Sequence, residues 1–396
     1  MELQFNFVVD KTIKGKIYPA LARHEARPYT QSWRQFGDHW PFTTPVRLQE
    51  YCDQHGVAIR LYDITDPLPD RCYYPICLGF FDFGIDYFSL LPPAIVNAVK
   101  INKLKILFLY HEGDNPKTIK NRLDTLVADH NLPRTSYIFV SSNTKADDLP
   151  GFVTFHDFEL WYYQRNLHTA SLAVHDQPRQ YDFVCLNRLH KWWRATAVAD
   201  LYRLGILDNS YWSYCQEPYG QDTDCPIEVD MISQLRHARS KFLSGAPYFC
   251  DDLSDSDRNN HSVTDSKYFT NAYCNIVMES QFDVDQSGGA FVTEKTFKPI
   301  KHGQLFFVAG GAHSLQVLRN LGYKTFDHVL DNSYDTIANH TLRWEKLRDS
   351  IESAKSQLPQ LFDAARSDIE HNQQLFAANK SQRLNTLIEK IHAQHS

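Results

Sequence analysis

The residues of this chain best suited to chemistry fall in three short stretches. The first centres on Thr293-Glu294-Lys295, set between the apolar run that delivers Glu279 and the apolar run QLFFVAGG. A hydroxyl, a carboxylate and a lysine at a helix start suit a nucleotide. Backbone N–H groups and Lys295 can hold phosphate oxygens, and a carboxylate can accept ribose hydroxyls. The same residues fit a plain helix start, with Thr293 as the cap and Glu294 and Lys295 in water. The second stretch, Asn187-Arg188-Leu189-His190-Lys191 with Arg194 one helical turn on, gathers cations where a strand is expected to meet a helix. Exposed cations flanking Trp192 and Trp193 are the simpler alternative, since lysine and arginine usually face water. The third, LYHEGDNP, sets His111, Glu112 and Asp114 just past a predicted strand end, the edge where α/β catalytic groups collect. Each of the three can take a proton from a hydroxyl. Equally, Asp114 can cap the helix beginning near Pro116 while His111 rests as a loop histidine. Asp82 and Asp86, in the aromatic loop FFDFGIDYF, are the next acidic candidates.

The elements that must position these groups follow a strand–helix rhythm. LKILFLY reads as a buried strand, PKTIKNRLDTLVADH as an amphipathic helix with proline near its start, and SYIFVSS as another strand. FVTFHDFELWYY adds a short strand and an aromatic-rich stretch, and HTASLAVHDQPRQ is the expected crossing between domains. The alternation restarts at Tyr181: YDFVCLN as a strand, Arg188–His190 as a turn, and KWWRATAVADLYRLG as a helix ended by Gly205. Past the polar stretch Asp251–Asp265 come strand NAYCNIVME, helix TEKTFKPIKHG, strand QLFFVAGG and helix AHSLQVLRNLG, then C-terminal helices interrupted by Pro359. This predicts an α/β fold with an N-terminal domain over 1–168 and a C-terminal domain over 178–396 that includes the terminal helices. Two such halves facing each other would form a ligand cleft.

Composition narrows the function classes. A length of 396 residues exceeds the roughly 250–300 at which single cores stop growing. With 43% hydrophobic and 22% charged residues, the chain reads as globular. Its formal net charge of −6 gives no long-range attraction for phosphate backbones or anionic membranes. No apolar run approaches the roughly 20 residues of a membrane helix, and the start MELQFNFVVD has no signal-peptide layout. The eight cysteines form no CxxC pair, so they are expected to be buried thiols of a soluble, cytoplasmic protein. Walker A, GxGxxG, HExxH and GxSxG signatures are all missing, which weakens NTPase, dehydrogenase, zinc-protease and serine-hydrolase readings.

Strand–Glu279-Ser280, then Phe291-Val292-Thr293-Glu294-Lys295, Pro299, Gly303 and QLFFVAGG, resembles the donor-binding segment of the α1,3-fucosyltransferase-like glycosyltransferases. Met278 stands where that family shows an aromatic residue, the loop QFDVDQSGG is longer, and Leu305–Val308 lacks the family's Pro-Val-Val. The resemblance covers about forty residues closely. It implies two facing Rossmann-like domains of GT-B type and inverting transfer from a nucleotide-sugar donor, possible donors including a GDP-fucose-like one. It assigns Glu294 and Lys295 to donor ribose and phosphate and matches Glu279 to the family's strand-end glutamate. With Arg188 opposite Lys295, and Arg194 and Thr293 alongside, the diphosphate would be neutralised without a metal or other cofactor. The base would then come from the N-terminal half, Glu112 first, with His111 and Asp114 behind it. The acceptor stays open among a glycan, a lipid-linked sugar, a protein and a modified nucleic acid. Two rivals stand beside this reading: a non-catalytic Rossmann-like binding or assembly protein, and a calcium module in which Asp283, Asp285, Ser287, Gly288 and Glu294 match positions of an EF-hand loop.

Overall fold

A computed structural model describes residues 4–9, 58–63, 65–78, 81–110, 112–166, 177–218, 227, 233–250, 266–282, 289–378 and 380–395. The chain forms two compact units, one of residues 1–157 with 379–396 and the other of residues 158–378.

Unit 1 holds β1 (Gln4–Val9), β2 (Ala58–Asp63), β3 (Cys72–Leu78), α1 (Pro93–Lys100), β4 (Leu104–Tyr110), α2 (Pro116–Asp129), β5 (Tyr137–Ser141) and β6 (Phe152–Thr154). The strands form one sheet in the order β2-β1-β3-β4-β5-β6, with every neighbouring pair parallel. All seven residues of β4 and all five of β5 are buried, as expected of strands covered on both faces. Aromatic rings fill the layer above them, with Phe139 stacked on Phe152 at 5.0 Å between centroids and Phe108 5.8 Å from Phe139. Asn115 caps α2, accepting from the backbone N–H of Lys117 at 3.0 Å, so the cap lies one residue beyond Asp114.

Unit 2 begins in α3 (Asp157–Asn166). It continues through β7 (Tyr181–His190), α4 (Trp192–Arg203), β8 (Ser210–Pro218), α5 (Ser233–Gly245), α6 (Ser266–Thr270), β9 (Ala272–Met278), α7 (Glu294–Lys301), β10 (Leu305–Ala309) and α8 (Ser314–Asn320). Next come α9 (His340–Lys355), α10 (Leu358–Ala364) and α11 (Arg366–Ala377). Its four strands lie in the order β10-β9-β7-β8, again all parallel. Both units are therefore open parallel sheets flanked by helices, the expected α/β class, and each is Rossmann-like. The chain leaves β7 through α4 to β8 on one side, then returns to place β9 on the other. The carboxyl ends of β7 and β9 are thus the topological switch point of this sheet, where such folds open a crevice.

Three local features differ from the sequence reading. Arg188–His190 is not a turn: β7 runs on to His190, and its register against β8 shifts between Asn187 and Leu189. An irregularity of this kind re-aims a side chain without ending the strand. The N-terminal strands β1 to β3 and strand β8 were not anticipated. The last helix, α12 (Ser381–Ala393), belongs with unit 1, whereas the sequence reading grouped all terminal helices with the second domain. Leu384, Leu387, Ile388 and Ile391 form its buried stripe. Tyr73 hydroxyl and His392 Nδ1 lie 3.0 Å apart, and Lys105 donates to the carbonyl of Gln394 at 2.8 Å. The expected interdomain crossing falls largely on residues 167–176, outside the described residues.

The thiols of Cys72, Cys185, Cys215 and Cys274 are buried and unbridged, and burial pushes Cys185 up to about 12. No described helix is long and apolar enough to cross a membrane.

Because Ile388 is fully buried in a helix supplied from the far end of the chain, Ile388→Ala should lower the stability of unit 1 by about 2–5 kcal/mol. Urea unfolding followed by amide exchange in β3 and β4 would show it; wild-type protection there would contradict the packing of α12.

Candidate functional site at the switch point of unit 2

The buried carboxylate of Glu279, one residue past β9, organises this end of the sheet. Its Oε1 accepts from the Thr293 N–H at 3.0 Å and the Thr296 hydroxyl at 2.5 Å; its Oε2 accepts from the Thr293 hydroxyl at 2.7 Å and the Ser280 N–H at 3.1 Å. Four donors fill both oxygens, and two of them are fixed backbone groups. Glu279 therefore ties the strand end to the start of α7. Thr293 is the N-cap of that helix, its hydroxyl accepting from the Lys295 N–H at 3.4 Å while donating to Glu279.

The cations around this latch divide by what they contact. Arg194, buried and 5.4 Å from the Trp193 ring centroid, donates to the carbonyl of Glu279 at 2.5 Å. Lys191 donates to the carbonyl of Ser280 at 2.8 Å. Both pin α4 to the loop after β9. Lys295 Nζ donates to Ser280 Oγ and Thr293 Oγ1, each at 3.2 Å, and meets Glu294 Oε1 at 3.3 Å. Glu294 is nearly buried, and its charge acts on the Tyr162 hydroxyl of α3, which burial holds well above its usual range. Arg188, at the irregular end of β7, is half-buried and repels Lys298 electrostatically. Arg188, Lys295 and Lys298 thus come together with Glu279 and Glu294 at the ends of β7 and β9.

Two further braces hold the loops. Arg343 of α9 is buried, lies 4.5 Å over the Phe282 ring, and donates to the carbonyls of Gly310 at 3.2 Å, Ile337 at 2.8 Å and Phe282 at 2.5 Å. Phe282 stacks on Trp193 at 4.9 Å. Gly310 lets the end of β10 approach the latch, since a Cβ there would sit 2.7 Å from Ser314 Oγ and 3.4 Å from Glu279 Cβ. The sequence reading missed Arg343, which it left within the first of the C-terminal helices. It also missed Lys298, for which the three-residue spacing from Lys295 was the available signal.

In unit 1, Asp114 Oδ2 accepts a short hydrogen bond from the Tyr110 hydroxyl. Burial and neighbouring carboxylates hold that phenol well above its usual range, so it remains a donor. The backbone carbonyl of Glu112 accepts from Ser141 Oγ at 3.2 Å and from the Ser142 N–H at 3.3 Å, and Asn143 holds the carbonyl of Gly113 at 2.8 Å. The loop is thereby fixed at the carboxyl end of β4 with Glu112 half-buried. His111 lies outside the described residues. Asp82 accepts from the Gly84 N–H at 2.7 Å, and Asp86 from the Phe88 and Ser89 N–H groups at 3.1 Å and from His130 at 2.8 Å, so both stabilise their own loop.

No family model and no curated protein sequence matches the chain. Among solved structures it is similar to a T4 phage BGT in complex with UDP and Mn2+, at 11% identity over 99% of both chains with a TM-score of 0.41. It is also similar to a DNA-modifying β-glucosyltransferase determined with and without uridine diphosphoglucose, at 10% identity over 97% of this chain and 100% of the other, with a TM-score of 0.34. The first comparison corrects the expectation of a metal-free donor site, because that structure holds Mn2+ together with UDP. Metal independence is therefore withdrawn. Among the described residues no group of three His, Cys, Asp or Glu side chains is arranged to hold a metal ion. Asp283, Asp285, Ser287 and Gly288 of the calcium-type pattern lie outside them, and the Glu294 carboxylate meets Lys295.

If Glu279 works as a latch, Glu279→Gln should cost about 2–3 kcal/mol in urea unfolding, since an amide presents its NH2 to donors that a carboxylate satisfied. A variant of wild-type stability that has lost nucleotide affinity would instead make Glu279 a direct ligand contact.

Proposed function

We propose that this chain is a GT-B-type glycosyltransferase that moves a sugar from a nucleotide-sugar donor to an acceptor hydroxyl. The observation that carries the reading is the convergence of Arg188, Lys295 and Glu294 at the carboxyl ends of β7 and β9, the switch point of an open parallel sheet. Arg188 and Lys295 are the cations for the donor diphosphate, and Glu294 is the acceptor for ribose hydroxyls. Glu279, Thr293 and Arg194 hold the frame that keeps those three in place.

In the proposed reaction the acceptor oxygen attacks the anomeric carbon as the bond from that carbon to the phosphate oxygen breaks. The bonding pair leaves with the diphosphate, where cations stabilise the charge that develops. A single displacement of this kind inverts the anomeric centre. The acceptor proton passes to Glu112 in the loop after β4, while Asp114 is engaged by Tyr110. The fucosyltransferase resemblance favours GDP-fucose as donor, and UDP-glucose is the competing choice. Acceptors to be compared are a glycan, a lipid-linked sugar, a protein and a modified nucleic acid.

Thermal-shift and calorimetric titration with GDP-fucose, UDP-glucose and their free diphosphates, each with and without Mn2+, test the donor. Arg188→Ala and Lys295→Ala should each weaken diphosphate binding by about 1.5–3 kcal/mol, roughly ten- to hundredfold, with folding intact. Unchanged affinity in both variants would sink the diphosphate assignment.

For the base, Glu112→Gln should retain donor affinity and lose about two to four orders of magnitude in transfer rate. Near-normal turnover in this variant, and in His111→Ala and Asp114→Asn made separately, would remove the loop after β4 from the mechanism.

A further inference from the structure

Lys298 stands out among the three lysines of α7. Lys295 is held by Ser280, Thr293 and Glu294, and the Lys301 ammonium lies 5.9 Å from the Tyr162 ring centroid. Lys298, one helical turn from each, makes no side-chain hydrogen bond or ion pair among the described residues, although its side chain is only half-exposed. Its surroundings explain why no protein group has taken it. The carboxylates that attract it are Glu294 from its own helix and Glu279 from the end of β9, but Glu279 already accepts four hydrogen bonds and Glu294 faces Lys295. Lys295 from its own helix and Arg188 from β7 repel it, and Tyr162 of α3 faces Glu294.

An ammonium with unused donors, beside two like charges and beside carboxylates whose oxygens are occupied, is an arrangement that a multivalent oxyanion completes. We propose that Lys298 is a further phosphate-binding residue of this crevice, contacting the diphosphate together with Arg188 and Lys295. The proposal rests on the nucleotide-sugar reading above and adds a residue that the sequence resemblance does not mark.

The environment gives it a readout that Arg188 cannot supply. Burial, the largest cause, together with Lys295 and Arg188, lowers the Lys298 ammonium to about 8. A bound phosphate favours the charged form and raises that value. Free Lys298 loses its proton as pH rises through about 8, so at about pH 9 binding must return a proton to it, and affinity falls by up to roughly tenfold between about pH 7 and pH 9. Arginine stays charged throughout.

The test is calorimetry of UDP, GDP and inorganic pyrophosphate on the full chain at those two pH values, in buffers of different ionisation enthalpy, for wild type, Lys298→Arg and Lys298→Met. Wild type should take up a fraction of a proton at the higher pH and bind more weakly there. Lys298→Arg should bind at both pH values without proton uptake. Lys298→Met should bind roughly tenfold or more weakly at the lower pH and lose the pH dependence. Wild-type affinity and proton uptake in Lys298→Met would overturn the proposal. If that variant does not fold, proton uptake persisting in Lys298→Arg overturns it instead. Binding of pyrophosphate but of neither nucleotide would overturn the nucleotide-sugar reading alone, with Lys298 then judged on pyrophosphate. Binding of none of the three would overturn both.

Discussion

Everything at the carboxyl edge of the second sheet depends on one buried carboxylate whose oxygens are completely occupied. Glu279 takes two hydroxyls and two backbone N–H groups from Ser280, Thr293 and Thr296, and thereby fixes where α7 begins relative to β9. A buried negative charge is tolerable only when hydrogen-bonded this fully. The backbone carbonyls beside it are taken up by cations: Glu279 by Arg194, Ser280 by Lys191 and Phe282 by Arg343.

The number of arginines and lysines near a crevice is thus a poor guide to its chemistry. Arg194 and Arg343 hold backbone carbonyls, and Arg179 does the same at the opposite end of the strands. It donates to the carbonyls of Phe269, Ala272 and Gly303 while lying 4.3 Å from the Phe362 ring centroid. Each bridges segments remote in sequence, which is why a planar fork of donors serves better than an ammonium. Asp200 plays the acidic counterpart, buried between α4 and α9 with the Trp344 indole at 3.1 Å and Arg203 at 2.7 Å.

Much of the sheet architecture was legible because parallel strands buried on both faces are written as short apolar runs. LKILFLY, YIFVS, AYCNIVM and LFFVA are of this kind, and the starts of α2 and α7 carry a proline and a capping threonine. Strands with mixed composition were not legible. SYWSYCQEP is half polar, and CYYPICL contains a proline that argues against an interior strand. Pairing resolves the second case: among the described residues β1 pairs with β3 at Cys72 and Tyr73, whereas Pro75 is paired on the β4 side, with Leu107. At the site, the cluster Thr293-Glu294-Lys295 could be read as a group, but the roles within it could not. Whether a cation is taken up by a carbonyl or left without a hydrogen-bond partner among the described residues is decided by tertiary neighbours, as Arg194 and Lys298 show in opposite ways.

The return of α12 to the first unit makes that unit discontinuous in the chain while the second is continuous. During synthesis, residues 158–378 emerge as a complete set able to close their own sheet, whereas the earlier sheet lacks its covering helix until residues beyond 379 are released. The part of the first sheet that α12 later meets, at Tyr73 of β3 and Lys105 of β4, must therefore wait for the time needed to translate more than two hundred further residues. Completion of unit 1 waits on α12, so a ribosome that stalls between Ala378 and Ser381 would leave a finished second unit joined to an open first one.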